Sequence, residues 1–247
     1  MSENRLNEEI NGQIVLGEEK SEAIAHKDSA LKRLDVSFNK HIELMEYKKS
    51  NLLAYWIKDF SKYHDEEKTF TAKSLKIFKR GDIVKANLGF NIGNELGGLH
   101  YCVVINNNDN LYSGNLNVIP LSSVKEDKEY NKTTCVDLKD ELYTLLSNKY
   151  SYEMTSTLKN FKSVKEINEL TSDNVYKLSR KIDLLKNFVK ELEKMKHGSI
   201  AYIHQITTIS KQRIFKTPIL SGIRISPQSL DLIDEKIDSL FTKNSKN

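Results

Sequence analysis

The rhythm of hydrophobic and polar positions divides the chain into four zones. Residues 1–25, rich in Glu, Asn and Ser, hold no sustained period and are expected to form a flexible tail. From 26 to 66 the pattern predicts helix. Leu31, Leu34, Phe38, Ile42 and Met45 recur three and four apart, Leu53, Trp56, Ile57 and Phe60 continue the stripe, and no Gly or Pro interrupts it. A straight helix of that length would reach about 60 Å, so a break is expected near Lys49–Ser50, within a helical arm placed at 26–75.

The third zone, 78–138, is built differently. Glycines cluster at Gly81, Gly89, Gly93, Gly97 and Gly98, among short runs rich in Val, Ile, Thr and Tyr: Ile83–Leu88, Tyr101–Ile105, Leu116–Leu121 and Thr133–Leu138. Turn signals separate them, and no crossover helix intervenes, so an antiparallel meander or small barrel is expected. The fourth zone, 144–196, returns to helix. Ser163–Glu166 reads as a capping box. Val175, Leu178, Ile182, Leu185, Val189, Leu192 and Met195 read as a seam close to a coiled-coil repeat, ended by His197-Gly198. Strand signals resume at Ser199–Ile206 and near Arg213–Phe215. A last helix opens at Ser226-Pro227 with Leu230, Ile233, Ile237 and Leu240 on one face. The expected class is α+β: a β core over 76–143 and 198–247, interrupted by a helical hairpin at 144–197 and preceded by the arm.

Composition narrows the function classes. Of 247 residues, 38% are hydrophobic and 29% charged, with three prolines. The mean hydropathy is −0.53. Such a chain carries much exposed helix, and its apolar runs are too short to span a bilayer. The net charge of +4 permits an anionic partner without demanding one. Cys102 and Cys135 form no CxxC pair and no His/Cys cluster accompanies them, so neither a metal site nor a disulfide framework is expected. A reduced cytoplasmic protein is the default.

Five segments in order carry more specific information. Lys79-Arg80-Gly81-Asp82-Ile83-Val84 leads to Gly93-Asn94-Glu95-Leu96-Gly97-Gly98, then His100-Tyr101-Cys102-Val103-Val104-Ile105, then Val118-Ile119-Pro120-Leu121-Ser122-Ser123. Gln205-Ile206-Thr207-Thr208-Ile209-Ser210-Lys211-Gln212-Arg213 closes the series. This series resembles the PemK/MazF family, the toxins of type II toxin–antitoxin systems, over 78–138 and 198–240. The arm and the hairpin fall outside the resemblance.

The resemblance implies a compact SH3-like β barrel with a C-terminal helix, a homodimer, a cognate antitoxin as partner, and cleavage of single-stranded RNA with no cofactor. The ribose 2′-oxygen attacks the adjacent phosphate. That reaction needs a proton acceptor, a proton donor and stabilisation of the phosphoryl oxygens. Where the family pattern reads Gly-Gly-x-Arg, this chain has His100. Arginine is always charged and a poor base, whereas histidine exchanges protons within the physiological range. Ser122 stands at the phosphate-binding hydroxyl position. Arg80, Lys85, Asn94, Glu95, Gly97, Gly98, Ser123 and Gln205 complete the expected RNA contacts. Two other readings keep the fold: a CcdB-like toxin that binds DNA gyrase, and a catalytically inactive RNA-binding or regulatory module.

Overall fold

A computed structural model describes residues 2–125, 129–166 and 172–242. Two compact units divide the chain, Met1–Asp59 and Phe60–Asn247. The first unit consists of helix α1 (Ser2–Glu43) and the start of helix α2 (Tyr47–Glu66). The stretch expected as a tail is therefore helical backbone. It lacks proline, and its Glu, Ala, Leu and Lys residues favour helix without any amphipathic stripe. The break comes earlier than Lys49–Ser50. Met45 adopts a left-handed φ of 57°, the Glu46 N–H donates to the His41 carbonyl at 2.8 Å, and the His41 Nδ1 lies 2.7 Å from Glu46 Oε2. Leu31, Ile42 and Met45 of the expected stripe are exposed.

In the second unit, strands β1 (Ile83–Asn87), β2 (Leu99–Val104), β3 (Asn115–Ser123) and β4 (Cys135–Asp137) precede helices α3 (Glu141–Glu166) and α4 (Ser172–Met195). Strands β5 (Ser199–Tyr202) and β6 (Thr207–Ser210) and helix α5 (Pro227–Phe241) follow. Every pairing is antiparallel, in the order β1-β2-β3-β5-β4, and β6 also pairs with β3. Strand β3 is the hub. Its first half meets β6 (Leu116 opposite Ile209) and its last residues meet β5 (Ser122 opposite Ile200). The hairpin α3–α4 joins β4 to β5, which are themselves paired (Val136 opposite Ala201), so the strands on both sides of it share one sheet.

The sheet is not the closed barrel expected. After β6 the chain returns toward β1 through isolated bridges at Ala86–Ile214 and Asp82–Arg224 and no further strand. The physical reason is local: short 3-10 turns at Lys211–Arg213 and Pro218–Leu220 break the run. A proline has no N–H to give a ladder. The strand expected near Arg213–Phe215 is for the same reason one of these turns followed by a single bridge.

Alternation along the strands sorts residues onto two covered faces. Ile83, Val103, Ile119 and Leu121 join one core, with Leu142 and Leu146 of α3, Phe188 and Met195 of α4, and Ile233 of α5. Val84, Ala86, Cys102, Val104, Leu116 and Val118 join the other, with Phe78, Ile209 and Ile214. The expected α4 seam is shifted in consequence. Leu192 and Met195 face the core, but Phe188 is the most buried residue of α4, while Val175, Ile182 and Val189 are exposed. Residues 163–166 lie in the final turns of α3, so they open no helix. Helix α5 begins as expected, with the Ser226 hydroxyl accepting from the Ser229 N–H.

Candidate functional site

The site lies where β2 and β3 run side by side. Backbone pairing places Tyr101 opposite Leu121 and Ser122 opposite Ile200, so His100 at the start of β2 meets Ser122 at the end of β3. A cavity of about 200 Å³ is lined by His100, Ser122, Ser123, Tyr101, Lys194 and Ser199, among others. The His100 ring is fixed by one hydrogen bond, Nδ1 to the Leu121 carbonyl at 2.9 Å. A carbonyl only accepts, so Nδ1 carries the proton of the neutral ring and Nε2 is its acceptor nitrogen. Ser122 is half-buried, and its hydroxyl can donate to an anion.

A second cavity of about 340 Å³ adjoins the first, sharing Leu99, Tyr101 and Lys194 and adding Lys85, Lys190 and Phe215. Here Lys85 is tied to α4. Its Nζ lies 2.9 Å from Glu191 Oε1, with the lysine and glutamate side chains only 13% and 15% exposed. The Tyr101 hydroxyl also donates to Glu191, and Lys194 Nζ reaches the same carboxylate at 3.2 Å.

The glycine-rich loop between β1 and β2 leads directly into His100. At its neck Leu88 N–H donates to the Gly98 carbonyl and Gly98 N–H to the Gly89 carbonyl, at 2.8 and 2.6 Å. Gly97 sits where a Cβ would lie 2.7 Å from the Gly89 oxygen, so only glycine fits this crossing. Gln205 holds the loop from the far side. Its Oε1 accepts from Leu96 N–H at 2.6 Å and its Nε2 donates to the Asn94 carbonyl at 3.0 Å. Asn94 and Glu95 are exposed at the loop tip, and Glu95 Oε2 accepts from the Ile92 N–H at 3.3 Å.

The structure thus brings His100, Ser122 and Ser123 together, sets Lys85 in the adjoining cavity, and leads the loop bearing Asn94, Glu95, Gly97 and Gly98 up to them. Gln205 acts on the loop. Arg80 is engaged elsewhere, donating to the Ile105 carbonyl and pairing with Asp234 of α5. Its neighbour Asp82 is structural as well, accepting from Arg224 at 2.7 and 2.9 Å and from Lys76 at 3.2 Å. Lys211 of the closing motif is buried in an ion pair with Asp109 at 2.6 Å. Arg213 donates to the Asn87 carbonyl at 2.7 Å. Burial lowers the Arg213 pKa and, with Arg213 opposing, pushes the Cys102 thiol up to about 12.

Sequence reasoning missed Tyr101, Glu191, Lys190 and Lys194 as site residues. The charges of Lys190, Glu191 and Lys194 lie in a Lys/Glu run that reads as a solvated helix face. Among the described residues, no group of three His, Cys, Asp or Glu is placed to hold a metal ion, and no helix is long and apolar enough to cross a membrane.

The second unit is thus an antiparallel α+β unit with a histidine and a serine hydroxyl lining one cavity. Residues 79–186 match the family model of the PemK-like, MazF-like toxin of type II toxin–antitoxin systems. The match continues through α3 into α4, which the motif resemblance leaves out, and stops before β5 and β6. No curated protein matches the chain.

Proposed function

We propose that the protein is an endoribonuclease toxin that cleaves single-stranded RNA without a metal, acting in the cytoplasm with a cognate antitoxin. The observation that carries this reading is the shared cavity of His100 and Ser122, with His100 Nε2 as the acceptor nitrogen of the neutral ring. In the reaction His100 Nε2 takes the proton of a ribose 2′-hydroxyl. The 2′-oxygen bonds to phosphorus, the bond from phosphorus to the 5′-oxygen breaks, and the imidazolium returns the proton to that oxygen through a water. The products are a 2′,3′-cyclic phosphate and a 5′-hydroxyl. Ser122 donates to a non-bridging phosphoryl oxygen as charge gathers there.

The glycine loop, held by Gln205, covers the strand that enters this cavity, and Asn94, Glu95 and Ser123 line the approach. Homodimerisation accords with the exposed apolar residues of α1, such as Leu31 and Ile42.

The test is a long single-stranded RNA incubated with the protein in excess EDTA. Discrete cuts are expected, slowed about 10²–10⁴-fold by His100→Ala, the usual span for a general acid or base. Ser122→Ala should cost about 1–3 kcal/mol of transition-state stabilisation. Cleavage by His100→Ala at the parent rate would remove His100 from the chemistry. Inhibition of DNA gyrase without RNA cuts would instead assign the CcdB-like reading, and neither effect would leave an inactive RNA-binding or regulatory module.

A further inference from the structure

The His100–Ser122 cavity lacks the permanent cation that an arginine at position 100 would supply. A histidine that exchanges a proton during turnover is not a constant positive charge, and a serine hydroxyl carries none. The phosphoryl oxygens still gain negative charge on the way to the transition state. The cation nearest to hand comes from the inserted hairpin. Lys194 on the last turn of α4 lines the His100–Ser122 cavity and also the adjoining one, where Lys85 and Lys190 stand.

Its setting favours an outward role. Glu191, one turn earlier, accepts from Lys85 at 2.9 Å and from Tyr101, both half-buried, and from Lys194 at 3.2 Å. One carboxylate thus faces two ammonium groups, leaving the group net positive. The Lys85 side chain is 13% exposed and that of Lys194 58%. A lysine has three donors, so Lys194 can keep its bond to Glu191 and still reach a ligand. Phe215, 58% exposed, lines the same adjoining cavity and offers a ring on which a base can stack.

Resting on the proposed RNA cleavage, we propose that helix α4 forms one wall of the RNA groove and that Lys194 contacts the scissile phosphate, supplying the charge that the arginine at position 100 would bring. The hairpin is then part of the site.

The experiment compares the full-length parent with Lys194→Gln, Lys194→Arg and, as a control on the exposed far part of α4, Lys177→Gln. Cleavage is followed on single-stranded RNA. Affinity for a non-cleavable 2′-O-methyl RNA of the same sequence is followed against salt. Lys194→Gln should lower kcat/KM about 10–100-fold, the span expected for a lost charge-assisted hydrogen bond. It should also reduce the log–log salt slope by about 0.7, the value of one phosphate contact on a single strand. Lys194→Arg should retain most of both, Lys177→Gln should match the parent, and matched melting curves confirm that all variants are folded. If the parent cleaves RNA and Lys194→Gln equals it in rate and slope, the role of Lys194 is overturned and the cleavage reading stands. If the parent binds RNA without cutting it, the cleavage reading falls and the slope alone decides on Lys194. If it neither binds nor cuts, both are refuted.

Discussion

The Glu191 carboxylate joins the hairpin to the sheet, and its removal has a calculable consequence. Glu191→Leu leaves the Lys85 ammonium, 13% exposed, without its partner at 2.9 Å and the Tyr101 hydroxyl without its acceptor. Its remaining neighbour is the Tyr101 ring, whose centroid is 5.1 Å away. Breaking a fully buried pair from one side costs about 3–5 kcal/mol, and the residual hydration here reduces this to about 2–4 kcal/mol. Lys85→Met is milder, about 1–2 kcal/mol, because Tyr101 and Lys194 still donate to the carboxylate. The double variant removes both charges from a largely apolar wall and should cost less than the two singles added, by about 2 kcal/mol. Urea unfolding followed by circular dichroism is the assay. With m near 1–3 kcal/mol/M, Glu191→Leu should lower the midpoint by about 1–2 M at unchanged m. Additivity of the singles within about 0.5 kcal/mol would refute the coupling and with it the anchoring of α4 through this carboxylate.

Two further outcomes follow from the same geometry. Gly198 has φ +93° and a Cβ there would lie 2.7 Å from the Lys139 oxygen, so Gly198→Ala should cost about 2–3 kcal/mol; a melting temperature equal to the parent's would contradict this. Cys102, its thiol raised by burial from 9.0 to about 12, keeps its proton in the folded state after the unfolded chain has lost it. The unfolded state then binds fewer protons, so this contribution is intact below pH 9 and is lost as pH rises toward 12. At pH 10.5 the loss should be roughly 2 kcal/mol, visible as a steeper fall in urea midpoint for the parent than for Cys102→Val; parallel curves would count against it.

Legibility in the sequence followed the physics of each part. The strands were readable because Val, Ile and Cys alternate onto two covered faces and glycines punctuate them. The last helix was readable from Ser226-Pro227. The helicity of residues 2–25 was not, since their apolar residues follow no sustained period. The α4 seam was misplaced because Val175, Ile182 and Val189 repeat every seven residues and share Leu192 and Met195 with the stripe that is in fact buried around Phe188. His100 and Ser122, chosen through ordered motifs, line one cavity. Arg80, chosen on the same basis, proved to be a link between the β1 end and α5. Glu191 and Lys194 had no signal, because Glu191 meets Tyr101 across 90 positions and Lys85 across 106.

The central position of β3 also bears on the order in which the molecule is made. Synthesised from the N-terminus, β3 leaves the ribosome with β2 available, but β5 and β6 follow about 80 residues later. At about 5–20 residues per second, β3 waits several seconds with its second edge, the one β5 and β6 share, unpaired, and the α4 wall is likewise absent. The His100–Ser122 cavity, which Lys194, Met195 and Ser199 also line, therefore cannot be complete before α4 and β5 have been made.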